Sequence, residues 1–150
     1  RRQRQMCIRD RNDLTPKTLY KILALRAYVF VVEQDCAYLD LDGKDENALH
    51  LCAFIENELI GYSRLFLDQT PCLIGRVVVH PKHRGKNIGR KLMQESIATF
   101  PKSTPVLISA QERLKTFYES LGFAQSAEGY LEDGIPHIPM ILPPRNATAQ

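Results

Sequence analysis

No apolar run in this 150-residue chain approaches the ~20 residues that cross a bilayer, which argues against membrane insertion. No signal-peptide pattern opens it, so the expected compartment is the reducing cytoplasm. The four cysteines, Cys7, Cys36, Cys52 and Cys72, form no C-x-x-C pair and have no clustered histidines beside them. No metal site is therefore expected, and buried free thiols are the simpler reading. Charge of one sign is scarce too: the net charge is +3, part of it in the opening RRQRQ, and no strand carries interleaved aromatic residues. A nucleic-acid partner is disfavoured on both counts. Neither nucleotide fingerprint, G-x-x-x-x-G-K-[ST] or G-x-G-x-x-G, occurs. The acidic stretch DLDGKDE lacks the ligand spacing and closing glutamate of a calcium loop.

What is present is ordinary for one globular domain: 44% hydrophobic and 25% charged residues, with no composition shift that marks a boundary. We expect a single domain over residues 1–150 with flexible ends at about 1–5 and 143–150. Asn146-Ala147-Thr148 has the form of a glycosylation sequon in a polar tail, and Arg1 in place of methionine points to natural residues before it. Nothing in the sequence decides between a monomer and a homodimer.

Periodicity supplies the elements. QMCIRD reads as a strand. Thr15 and Pro16 mark an N-cap and first helical position, and Leu19, Ile22, Leu23, Arg26, Val29 and Phe30 share one face, interrupted only by Arg26. The β-branched run after Tyr28 predicts a stop near Val31. AYLDLDGKDENA is a loop; ALHLCAFI and ELIGYSRLFL make a hairpin about the turn Glu56-Asn57; CLIGRVVV is a third strand of that group. A helix is predicted from Ile88 to Phe100, ended by Pro101. VLIS reads as a strand buried on both faces. In SAQERLKTFYESLGF, Ser109 and Glu112 suggest a capping box, Leu114, Phe117, Tyr118 and Leu121 an apolar stripe, and Gly122 the C′ residue. Two strands about the EDG turn close the fold. The order β α β β β α β α β β mixes antiparallel hairpins with one parallel crossover.

One junction carries chemistry. In VVVHPKHRGKNIGRKLM a strand ends in a cationic loop and opens into a helix, whose first N–H groups lack intrahelical acceptors and whose dipole favours an anion. Gly85 and Gly89 allow close approach, while Lys82, Arg84, Lys86 and Arg90, with His83 when protonated, add positive potential. A phosphate is the natural ligand, and a tight turn with a solvated cationic face is the alternative.

The same stretch resembles motif A of the GNAT superfamily of N-acetyltransferases, Q/R-x-x-G-x-G/A, with Arg84 and Gly89 at its ends and Asn87 at its inner glycine. FYESLGF, with Phe117, Tyr118, Gly122 and Phe123, resembles motif B, and YVFVVEQ, DLDGKDENALHL, SAQ and YLEDGIPHI together resemble the ElaA-like branch. The likeness runs from about Leu25 to Leu142. It implies a mixed α/β fold with a mostly antiparallel central sheet, splayed where the fourth and fifth strands run parallel, and flanked by helices. It further implies that acetyl-CoA is the cosubstrate. Its pyrophosphate would lie on Arg84, Gly85, Lys86, Asn87, Ile88, Gly89 and Arg90, and its pantetheine arm along Val77, Val78 and Val79, near Gln111 and Phe117.

The implied reaction is direct attack of an amine on the thioester in a ternary complex. Tyr118 matches the family's donor to the departing sulfur; its alternative is simply a place in the apolar stripe. For the base that deprotonates the amine, Glu33 is the first candidate and His137 the second, set against a surface acid and a satisfied sheet histidine. Gln111 stands where many members of the family have an asparagine. Glu33, Asp40, Asp42, Glu132 and Asp133 are expected around the acceptor cleft, which favours a cationic amine of unspecified identity. A non-catalytic acyl-CoA-binding or regulatory module is the alternative function, because a fold does not fix an activity.

Overall fold

The computed structural model describes residues 4–10 and 12–145; the sequon and the outermost residues of both predicted ends lie outside them. Eight strands and three α-helices alternate as β1 (Arg4–Arg9), α1 (Pro16–Arg26), β2 (Leu49–Ile55), β3 (Glu58–Phe66), β4 (Cys72–Val79), α2 (Ile88–Thr99), β5 (Val106–Gln111), α3 (Lys115–Glu119), β6 (Ala124–Gln125), β7 (Tyr130–Glu132) and β8 (Ile135–Leu142). The sheet order is β1-β2-β3-β4-β5-β8-β6, with β7 also on β8. Every pairing is antiparallel except β4 with β5. The predicted mixed α/β class and the single parallel step are therefore present.

Helix α1 starts as its sequence dictates: Thr15 Oγ1 accepts from the Thr18 N–H at 3.1 Å, and Pro16 occupies the first turn. The stop expected near Val31 does not occur. The chain continues as a π-helix over Ala27–Glu33, where the Gln34 N–H reaches back five residues to Val29 O at 3.1 Å. Burial of Val29 and packing of Phe30 on the sheet outweigh the poor helix propensity of the β-branched run.

α1 and the π-helix that continues it cover one face of the sheet, with Ile22, Leu25 and Val29 against Cys52, Tyr62 and Val78. α2 and α3 cover the other, where Ile88, Leu92, Met93, Tyr118 and Phe123 meet Ile74, Val106, Ile108 and Met140. Each fully buried aliphatic side chain here contributes roughly 1.5–3 kcal/mol.

Arg26, the one break in the α1 stripe, is completely buried. Its Nε donates to Asp40 Oδ2 at 2.8 Å, its Nη1 to Asp45 Oδ1 at 2.7 Å and its Nη2 to Asp40 O at 3.0 Å. Arg64 binds Asp42 and Asp45, and Arg76 binds Asp40 and Asp42, so three arginines and three aspartates form one network. The acidic loop is thus a strap of arginine ligands laid over the sheet.

Strand β4 contains the feature that shapes the site. Tyr62 pairs with Val78 and Arg64 with Gly75, leaving Arg76 and Val77 opposite Ser63 alone. That is a β-bulge, and Arg76 sits in it at φ 52, a left-handed conformation disfavoured for any residue with a Cβ. Its guanidinium is tied to Asp40 Oδ1 at 2.7 Å, which holds the bulge in place. Below it, β4 and β5 pair only over Cys72–Ile74 and Val106–Ile108. Above it they separate.

Two local expectations need correction. Ser109 does not cap a helix: β5 runs on to Gln111 because Ala110 and Gln111 pair with Ile138 and His137 of β8, and α3 begins only at Lys115 after a 3-10 turn at Glu112–Leu114. β5 is not buried on both faces, since Ser109 is exposed while Ile108 and Ala110 are buried. At the two ends of the described chain, Arg4 and Gln5 pair with Ile55 and Phe54, and Arg145 N–H donates to Lys102 O at 2.6 Å. Gly122 does take the C′ place, at φ 101, with the Phe123 N–H on Tyr118 O at 3.2 Å and its own N–H on Glu119 O at 3.0 Å.

Candidate active site

The loop between β4 and α2 is built to present N–H groups. Gly85 and Asn87 both adopt positive φ, 78 and 64 degrees, curling the chain before the helix. The first helical hydrogen bond runs from the Lys91 N–H to Asn87 O at 3.1 Å, and the Asn87 side chain makes no cap. The N–H groups of Asn87, Ile88, Gly89 and Arg90 consequently precede any intrahelical acceptor, at the positive end of α2. Gly89 has ordinary φ; a Cβ there would meet Val79 and Phe117 at 3.7 and 4.0 Å, so its lack of one keeps the floor of the cleft open.

The separation of β4 from β5 continues this loop into a cleft of about 520 Å³, lined by Val77, Val78, Val79, Arg84, Gly85, Asn87, Ile88, Gly89, Arg90, Gln111, Phe117 and Tyr118 among others. Almost the whole predicted binding set is brought together. Lys86 is not: its side chain is exposed and does not line the cleft, because the left-handed turns on either side of it aim it outward. Val78 turns its side chain into the α1 core, so it can contribute only backbone. Above Ile74 the β4 edge has no partner in β5. Of its acceptors, Val79 O is occupied by Arg84 Nε at 3.1 Å. Arg90 lies over the Phe117 ring, 5.5 Å from its centroid, and donates to Ser120 Oγ at 2.8 Å. His83 is largely buried beneath the loop with Nε2 3.0 Å from Glu58 Oε1, and it reaches the cleft lining beside Arg84.

A second cleft, about 160 Å³, meets the first at Val77, Gln111 and Tyr118 and opens toward Tyr38, Arg76, Ser109, Glu132, Asp133 and His137. Tyr118 thus stands where two cavities join. It is buried, packed edge-on against Phe117 and Phe123, and no described residue hydrogen-bonds to its hydroxyl. Burial pushes its pKa up to about 12, so it enters any reaction near neutral pH as a proton donor.

The two candidate bases fare differently. Glu33 lines neither cleft; both its carboxylate oxygens accept from Arg84, at 2.9 and 2.7 Å. That hydrogen bonding, ahead of smaller effects, lowers its pKa and makes it a poor proton acceptor. Glu33, the first candidate for the base, is thus engaged by Arg84 outside both clefts. His137 lines the second cleft, with Nδ1 2.7 Å from Ile135 O and Nε2 3.7 Å from Glu132 Oε2. The acids divide in the same way. Asp40 and Asp42 are neutralised by arginines, and the Arg64 hydrogen bonds above all hold the Asp42 carboxyl well below the usual range. Glu132 and Asp133 do face the cleft.

Sequence reasoning missed Arg113, Leu114, Val29, Phe30 and Gln34, which also line the first cleft. The last three follow from the unforeseen π-helix. Arg113, whose Nε donates to Gln111 Oε1 at 3.1 Å, was hidden inside a predicted helix face. Among the described residues no group of side chains could hold a metal ion, and no helix is long and apolar enough to cross a membrane.

Comparison with known proteins bears on this geometry. A family model described as an acetyltransferase (GNAT) domain matches residues 13–143. The chain is 41% identical over 138 residues to protein ElaA of Escherichia coli strain K12, covering 86% of this chain and 90% of that protein. It is 44% identical over 137 residues to a UPF0039 protein of Schizosaccharomyces pombe, covering 87% and 91%. The crystal structure of Escherichia coli ElaA superposes with a TM-score of 0.88 at 37% identity, over 93% of this chain and 99% of the other. That of an acyl-CoA N-acyltransferase from Pseudomonas aeruginosa gives 0.85 at 38%, over 92% and 99%.

Proposed function

Because this chain belongs to the GNAT acetyltransferase family, we propose that it transfers an acetyl group from acetyl-CoA to an amine by direct attack within a ternary complex. The observation that carries this reading is the meeting of the two clefts at Tyr118: one runs to a loop of free N–H groups, and the other opens on the opposite side toward His137. The loop N–H groups, with Arg84 and Arg90, hold the pyrophosphate. The unpaired β4 edge at Arg76–Val79 holds the pantetheine amides in the manner of an added strand. The amine nitrogen bonds to the acetyl carbon, the carbon–sulfur bond breaks, and Tyr118 Oη gives its proton to the departing sulfur. A cytoplasmic setting accords with four free cysteines.

Calorimetric titration with acetyl-CoA, followed by an amine screen for thiol release, tests the reading. No binding at millimolar acetyl-CoA refutes it, and binding without turnover of any amine favours a non-catalytic acyl-CoA module. Tyr118→Phe should lower kcat about 100-fold, the lower end of general-acid effects, with acetyl-CoA affinity preserved. Undiminished turnover would remove Tyr118 from the mechanism.

A further inference from the structure

Resting on that proposed reaction, we infer that His137 is the base that takes the proton from the acceptor ammonium, and that Tyr130, Ser109 and Glu132 position and stabilise it. The Ile135 carbonyl can only accept a hydrogen bond, so the 2.7 Å contact to Nδ1 requires the proton of the neutral ring to be on Nδ1. Nε2 then carries the lone pair, in a side chain that lines the acceptor cleft on the ladder partner of Gln111. Two contacts stop the ring from turning away. Tyr130 stacks on it with centroids 6.1 Å apart and ring planes 21 degrees from parallel. The Tyr130 hydroxyl is itself hydrogen-bonded to Ser109 Oγ on β5.

Glu132 completes the arrangement. Its Oε2 lies 3.7 Å from Nε2, beyond hydrogen-bond length but close enough to favour the imidazolium once formed. The protons balance: the ammonium loses one to Nε2, the free amine attacks, the second N–H proton leaves as the carbon–sulfur bond breaks and replaces the one that Tyr118 Oη gives to the sulfur, and the imidazolium returns its proton to water. The other titratable or charged groups lining this cleft are Cys36 and Tyr38 from the strap, Arg76 on β4, Tyr118 on α3 and Asp133 in the turn. Arg76 is already paired with Asp40, and burial keeps Tyr118 protonated, so neither competes for the ammonium proton.

The tautomer can be read in the free protein by 15N NMR of the imidazole, independently of any acceptor. Protonation at Nδ1 in the neutral ring is expected, and a neutral ring protonated at Nε2 overturns the assignment. With an acceptor in hand, His137→Asn retains a donor to Ile135 O but offers nothing at Nε2. It should lower kcat about 100-fold or more, remove the acidic limb of the kcat profile, and leave the calorimetric acetyl-CoA affinity within about twofold. Glu132→Gln, an exposed change that does not threaten folding, should move that limb to lower pH. Tyr130→Phe should slow the wild type yet add nothing in the His137→Asn background. A His137→Asn enzyme that keeps both its rate and its acidic limb refutes the base. An unmoved limb in Glu132→Gln, or an equal loss from Tyr130→Phe in both backgrounds, refutes the supporting roles. Failure of the wild type to acetylate any amine would instead fall on the proposed function, and the NMR result would stand apart from it.

Discussion

Replacing Asn87 by valine and by glycine probes the anion loop at its most sensitive point. Asn87 holds φ 64 and ψ 13, a left-handed conformation that asparagine tolerates and glycine enters freely. A β-branched side chain there costs roughly 1–2 kcal/mol. The cost has two destinations. If the loop keeps its shape without ligand, it appears as lost folding stability; if the loop relaxes, it is paid when the coenzyme restores the curl, and affinity falls about 5- to 30-fold at 1.4 kcal/mol per decade. The sum of the two losses for Asn87→Val should therefore come to roughly 1–2 kcal/mol, however it divides. Urea unfolding and calorimetric titration with coenzyme A, on the same preparations, measure both parts. Asn87→Gly should leave affinity within a few fold. Valine and glycine variants equal in stability and in affinity would refute the reasoning, since neither state would then contain a left-handed residue 87.

Glu33→Gln should free Arg84 for the pyrophosphate, tightening coenzyme A binding a few fold at low salt without lowering kcat tenfold; a large loss of kcat in the calorimetrically competent variant would restore Glu33 as a base. Asp40→Ala leaves the fully buried Arg26 without the more buried of its two carboxylates and should cost about 3 kcal/mol, seen as a lower urea midpoint at constant m; less than about 1 kcal/mol would mean that Asp45 suffices. Stability should also fall in acid. Arg64 holds Asp42 below its ordinary pKa, and Asp45 is lowered despite its burial by Arg26 and Arg64, so the unfolded chain takes up these protons first. The contribution is full above about pH 5 and declines from about pH 4 downward, and Asp42→Asn should flatten that decline in urea titrations at stepped pH.

Where a structure is made by neighbours in sequence, the chain could be read directly. Thr15 and Pro16 start α1, the Gly122 turn ends the motif around Tyr118, and the loop from Arg84 to Gly89 declares an anion surface. Where distant partners decide, local signals misled. Ser109 and Glu112 have the spacing of a capping box, but the ladder to His137 and Ile138 holds Gln111 in a strand. Arg26 looked like a flaw in an apolar stripe because its ligands, Asp40 and Asp45, lie far along the chain. The same blindness left Asp40 and Asp42 expected as substrate contacts when arginines already held them. The ion pair that engages Glu33 was unreadable for a similar reason, its partner Arg84 being 51 residues away.

The bulge at Arg76 also resets the phase of its strand. Before it, even-numbered residues face the α2 side, as Cys72 and Ile74 do; after it, odd-numbered Val77 and Val79 face that side, and Val78 takes the α1 side. The surplus residue is thus absorbed without turning the strand over, and the half beyond it is the half left without a β5 partner. Deleting Arg76 would remove the bulge and leave the valines facing as they do now, Val77 and Val79 toward α2 and Val78 toward α1, in unbroken alternation from Ile74 and in step with β3. The opening proposed to receive both substrates begins where this strand is one residue too long for its neighbour.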